Sequence, residues 1–220
     1  MNKTLDPLLT QWLDAKARLT AKRLLGRKEP NGSEPSVSIR CPGTGKMLFG
    51  TISASHGRHI PIAPHNGALD DIAQLHAEIY RLRGDIGAIA HGGGPYGHCL
   101  ADFSGAIPVL FDEQARHLGR MGPPADKIGE LDRALRDGGN ALLFNGEPVC
   151  LGTTCQRMTL NAELFEKCAK AYVLAAAAGS RMTLLPWLVR RVANGRLHKD
   201  QRRAFECFAA GRLPPETRGY

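Results

Sequence analysis

The segment Leu75–Gly119 reads LHAEIYRLRGDIGAIAHGGGPYGHCLADFSGAIPVLFDEQARHLG, and the order of elements in it decides the fold. Ile72, Leu75, His76, Ile79 and Tyr80 recur at intervals of three and four, which predicts an amphipathic helix capped by Asp70 or Asp71 and ending near Arg83. The apolar run Ile86-Gly87-Ala88-Ile89-Ala90 predicts a short buried strand. His91 sits where that strand turns into Gly92-Gly93-Gly94. A helix is expected from near Pro95, carrying Tyr96, Cys99 and Leu100, and Ile107-Pro108-Val109-Leu110 reads as another short strand.

Working outward, Asp6-Pro7 is a cap and first-turn signal, and Leu8, Leu9, Trp12, Leu13 and Leu19 follow at helical spacing up to Gly26. A polar, turn-rich loop from Arg27 to Pro35 comes next. Ser36 to Arg40 alternates as a strand should, with Lys46 to Phe49 as its antiparallel neighbour across Pro42-Gly43-Thr44-Gly45. Gly50 to Gly67, with His56, His59 and His65, reads as loop with at most one short strand. Lys127 to Arg136 is a predicted helix. Asn145-Gly146 between the apolar runs Ala141–Phe144 and Glu147–Gly152 is a strong hairpin signal. A long alanine-rich helix is expected from Thr159 to Gly179, then helical stretches at Leu184–Val192 and Lys199–Ala210. The class is therefore α/β or α+β, a sheet covered by helices.

A chain of 220 residues with 43% hydrophobic and 23% charged residues suits one soluble domain with a short appendage. No apolar run reaches the roughly 20 residues a membrane span needs, and the N-terminus lacks a secretory pattern, so the expected compartment is the cytoplasm. The six cysteines form no CxxC pair and are expected to be reduced and mostly buried. Of the net charge of +8, much lies from Arg181 to Tyr220, where nine basic residues face Asp200, Glu206 and Glu216. That excess reads as a solvated helical face or as a contact for an anionic small ligand or an acidic partner. No helix-turn-helix, zinc-finger or aromatic-interleaved basic sheet points to nucleic acid. A G-x-S-x-G elbow, a Walker loop and a dinucleotide fingerprint are also missing.

The Leu75–Gly119 segment resembles the class II aldolase/adducin family, whose members carry a helix of the form lHxxIYrxRpDv, an apolar strand, and then His-x-His-x-P-Y. Ala141–Gly152 is similar to that family's "aLLrnHGvvvvG" hairpin, and Phe165–Ala169 to its "lEeaA" helix. The resemblance runs from about Ser36 to Gly179. It implies an α/β fold of three layers, helix/sheet/helix, with a largely antiparallel central sheet. It also implies a homotetramer with active sites at subunit boundaries. Residues 1–180 would form that domain and residues 181–220 a basic helical extension.

Such proteins hold a divalent metal on four positions, which correspond here to Ile72, His91, Gly93 and Gly146. A catalytic zinc needs three protein donors and an open position, so a chain with one of the four donors is expected to bind no metal. Asp71, His98 and Glu147 are nearby in sequence and would serve only if the centre were rebuilt around His91. The family's phosphate-binding Gly-Asn-x-Ser falls at Pro35–Ser38. This nominates Ser36 and Ser38, with the Gly92, Gly93 and Gly94 amides, as substrate-binding groups for a small anion. Two functions follow. One is a metal-independent lyase or isomerase acting on a small carbonyl, carboxylate or sugar-phosphate-like substrate, with His91 as acid/base aided by Tyr96, His98 or Glu147. The other is a non-catalytic, adducin-like binding or assembly protein, and a rebuilt metal-dependent aldolase is a third reading.

Overall fold

The computed structural model describes residues 6–26, 33–63 and 70–216 and builds them around one six-stranded sheet. Its strands are β1 (Ser36–Cys41), β2 (Lys46–Thr51), β3 (Arg58–Pro61), β4 (Ala88–His91), β5 (Ala141–Phe144) and β6 (Glu147–Gly152). In space they run β3-β2-β1-β4-β6-β5, every neighbouring pair antiparallel. The described α-helices are α1 (Pro7–Ala21), α2 (Asp71–Leu82), α3 (Pro95–Cys99), α4 (Asp112–His117), α5 (Leu131–Leu135), α6 (Cys155–Ala177) and α7 (Trp187–Ala209).

Local chemistry starts α1, α2 and α6. Asp6 accepts the Leu8 N–H at 3.0 Å, Asp70 the Ile72 N–H at 3.3 Å, and Thr154 the Arg157 N–H at 3.1 Å. Each such cap is worth ~1 kcal/mol. The Arg83-Gly84-Asp85 run after α2 is structural: Arg83 grips Asp85 with two bonds of 2.7 Å and donates to Gly139 O at 3.0 Å.

Alternation along the strands then sorts side chains between two cores. Val37, Ile39, Ala88, Ala90 and Cys150 join Trp12 and Leu19 of α1 and Phe165 and Ala169 of α6 on one face. Phe49, Ile89, Val149 and Leu151 join Leu75, Ile79 and Tyr80 of α2 and Leu131 of α5 on the other. The result is the expected helix/sheet/helix sandwich with an antiparallel sheet.

Some elements differ from the expected ones. Ile107–Leu110 is no strand, because Gln114 satisfies its backbone instead: Oε1 accepts from Leu110 N and Nε2 donates to Pro108 O, both at 3.0 Å. The stretch read mainly as loop supplies β3, while His65 lies outside the described residues. The two C-terminal helical stretches are one helix, α7, continuous through Gly195. Its Ala193, Leu197, Gln201 and Ala204 recur at helical spacing and are buried, and Gln201 Nε2 donates to Gly138 O at 2.7 Å. Asn145 and Gly146 have φ of 49° and 77°, the positive pair that a tight I′-type hairpin turn requires. Among the described residues no helix is long and apolar enough to cross a membrane.

Candidate functional site

His91 ends β4 in the middle of the sheet, opposite Ser36 of β1 on one side and Val149 of β6 on the other. Residues paired this way point to the same face, and so does Glu147, two residues before Val149. The longer glutamate side chain spans the diagonal. Its Oε2 lies 2.6 Å from His91 Nε2, with the two side chains 16% and 1% exposed. The approach is close but off the hydrogen-bonding direction, and neither His91 ring nitrogen has a hydrogen-bond partner among the described residues. With a protonated ring the contact is an ion pair.

Behind His91, edge-on at 6.4 Å between ring centroids, lies His76 of α2. Its Nδ1 meets Ser38 Oγ at 2.7 Å and its Nε2 meets Ser36 Oγ at 3.1 Å. Ser38 Oγ also meets Tyr80 OH at 3.0 Å. All four side chains are buried. Burial, and secondarily the neighbouring His91, hold the His76 pKa well below the usual imidazole range, so it is a neutral core group with both nitrogens satisfied. Ser36 and Ser38, nominated for substrate, each contact His76 inside the protein.

The Gly92 amide and the space beside Gly93 and Gly94 are similarly occupied. Gly92 and Gly93 have φ of 124° and 58°, and the Gly92 N–H donates to Pro148 O at 2.9 Å. A Cβ on Gly93 would lie 2.3 Å from Pro148 Cγ, and one on Gly94 would lie 2.5 Å from Glu166 Cδ. The Glu166 carboxylate accepts the N–H groups of Tyr96 at 2.8 Å and Gly97 at 3.0 Å, at the start of α3. An internal anion thus takes amides that open the helix after the glycine loop.

Of the nominated acid–base residues, the structure brings together His91 and Glu147. Tyr96 packs against the core on the opposite face of the sheet, under Lys170, and His98 lies beside Gly26. Neither makes a hydrogen bond or ion pair with His91. Asp71 is exposed in the first turn of α2. No group of three or more His, Cys, Asp or Glu side chains among the described residues has a metal-holding arrangement.

Sequence reasoning missed the roles of Glu166 and Pro148. Glu166 had a readable signal: it lies four residues after Ala162 and three before Ala169, on the buried stripe of α6, where a carboxylate must find donors. Pro148 had none, because its partner Gly93 is set by strand register.

The family described as Class II Aldolase and Adducin N-terminal domain matches residues 45–173. Among solved structures, the fold is similar to an L-fuculose 1-phosphate aldolase (TM-score 0.69, 18% identity, 87% of this chain and 96% of that one). It is also similar to YgbL of Klebsiella pneumoniae, a putative aldolase/epimerase/decarboxylase (TM-score 0.67, 18% identity, 84% and 97% of the chains). An aldolase II superfamily protein from Pseudomonas syringae is a third (TM-score 0.62, 17% identity, 92% and 94%). At these identities the likeness is one of fold. No curated protein matches the chain significantly.

Proposed function

This chain belongs to the class II aldolase and adducin N-terminal domain family, and we propose that it keeps that fold without metal-dependent aldol chemistry, as a binding or assembly protein. One observation carries the reading: Pro148 fills the space into which any side chain at Gly93 would project, with 2.3 Å between the Cβ position and Pro148 Cγ. A side-chain donor at that position is excluded by volume as well as by residue type. The remaining imidazole, His91, faces a carboxylate 2.6 Å away and is 1% exposed, so it cannot hold an ion open to substrate.

A second reading has its own support. Glu147 is 16% exposed and touches His91, so a carboxylate at the surface backed by a buried imidazole is available for metal-independent proton transfer to a small carbonyl or carboxylate compound. Calorimetric titration with zinc, manganese and cobalt, beside a screen for retro-aldol and isomerase turnover, separates the readings. The binding-protein reading expects no ion bound and no turnover. Turnover abolished by Glu147→Gln in a folded variant would establish the acid–base reading. One tightly held ion per chain, lost in His91→Ala, would overturn both.

Family membership also supports a homotetramer. The apolar stripe of α6 is taken up by the chain's own core, leaving Leu160 and Leu174 exposed at 36% and 52%. Light scattering that returned the mass of a single chain at micromolar concentration would overturn the tetramer.

A further inference from the structure

Trp187, Arg190, Arg191, Asn194 and His198 are spaced three, one, three and four residues apart, which places them along one side of α7. That side borders an open cleft of about 540 Å³, lined opposite the helix by Val109 and Arg120. A second cavity of about 610 Å³ adjoins it, and Val109, Arg120 and Arg190 line both. The second is mainly apolar, walled by Ile107, Pro108, Met121, Tyr172 and Leu184. Both volumes are in the range of small-ligand sites. None of these residues belongs to β4 or β6, where His91 and Glu147 lie.

The cationic groups here are left over. Among the described residues the Arg190 and Arg191 side chains have no ion pair or hydrogen bond. Arg120 has one loose contact, 3.4 Å to Asp137, with the two side chains 74% and 49% exposed. Like charges gathered around one hollow repel, and an anion between them relieves that repulsion. Guanidinium groups suit a carboxylate because their paired N–H donors match its two oxygens. Trp187, 66% exposed, offers a flat apolar face at the same place.

We propose that the two cavities are one binding site for a small organic carboxylate with an apolar or aromatic body. The carboxylate sits among Arg120, Arg190 and Arg191, and the body lies over Trp187 and enters the apolar compartment. Calorimetric titration of the full chain with 2-naphthoate at low salt tests it, beside acetate as head alone and 2-naphthylmethanol as body alone. Naphthoate is expected to saturate one site per chain, at least tenfold tighter than either fragment. Arg190→Ala with Arg191→Ala should weaken it at least tenfold, with the far-ultraviolet circular dichroism unchanged. If the double variant loses its fold, Arg191→Glu alone, at an exposed position, is read in its place. Naphthoate no tighter than acetate, or unaffected by these variants, overturns the proposal. So does retention on immobilised heparin without naphthoate binding, which would make the patch a polyanion surface.

Discussion

The His91 region and the α7 region are opposites. Around His91 the nominated Ser36 and Ser38 bond to His76 and Glu147 lies against His91, while Glu166 takes the Tyr96 and Gly97 amides and Pro148 crowds Gly93. Along α7, which no motif marks, three arginines and a tryptophan border open space. A motif therefore locates a position in the fold, and the balance of satisfied and unsatisfied groups decides whether that position is free to act on a ligand.

Substitutions on the two sides should divide accordingly, with large stability effects in the first region and small ones in the second. Gly93→His, which restores the family's residue, is the most severe. It demands φ of 58° from a bulky residue and a Cβ 2.3 Å from Pro148. A loss of about 4 kcal/mol or more is expected, without gain of metal affinity. A melting temperature equal to wild type would show that the loop yields and that the site is less filled than argued.

His91→Ala removes a buried ring and strips Glu147 of its partner, for about 2–3 kcal/mol in urea denaturation. A value below about 0.5 kcal/mol would mean the pair contributes nothing to the fold, which would sharpen the case that it is kept for chemistry. Glu166→Gln weakens two charge-assisted bonds to the Tyr96 and Gly97 amides and should cost about 1–2 kcal/mol. Full stability in that variant would free those amides for a ligand.

His117, at the end of α4 and 3.0 Å from the Arg157 guanidinium, gives a pH test in the second region. Burial first, then Arg157, lower its pKa to about 4 from the ordinary 6.5. The unfolded chain therefore binds the proton more readily. Its contribution to stability is whole above about pH 6.5 and is lost as the pH falls toward about 4. His117→Gln should flatten the melting temperature against pH in that window, and an unchanged slope would refute the assignment. The smallest effect belongs to Arg190→Ala with Arg191→Ala, expected within about 0.5 kcal/mol of wild type. A larger loss would mean that these side chains serve the fold and are not left over for a ligand.

Much was legible in the sequence because its physics is local. The three-and-four spacing from Ile72 to Tyr80 builds α2, the Asn145-Gly146 pair turns a hairpin, and an apolar run ending at His91 makes β4. Ile107–Leu110 misled because its backbone partners come from the Gln114 side chain, and a propensity argument sees no side-chain substitute for a sheet. The sequence by itself determined the class and most of the elements. Only the tertiary structure decided that Glu147 reaches His91, that Pro148 occupies the space above Gly93, and that Arg120 joins Arg190 and Arg191 at one cavity. Those pairings depend on strand register and on where α7 lies against the 107–121 segment, and both are settled by packing among residues far apart in the chain.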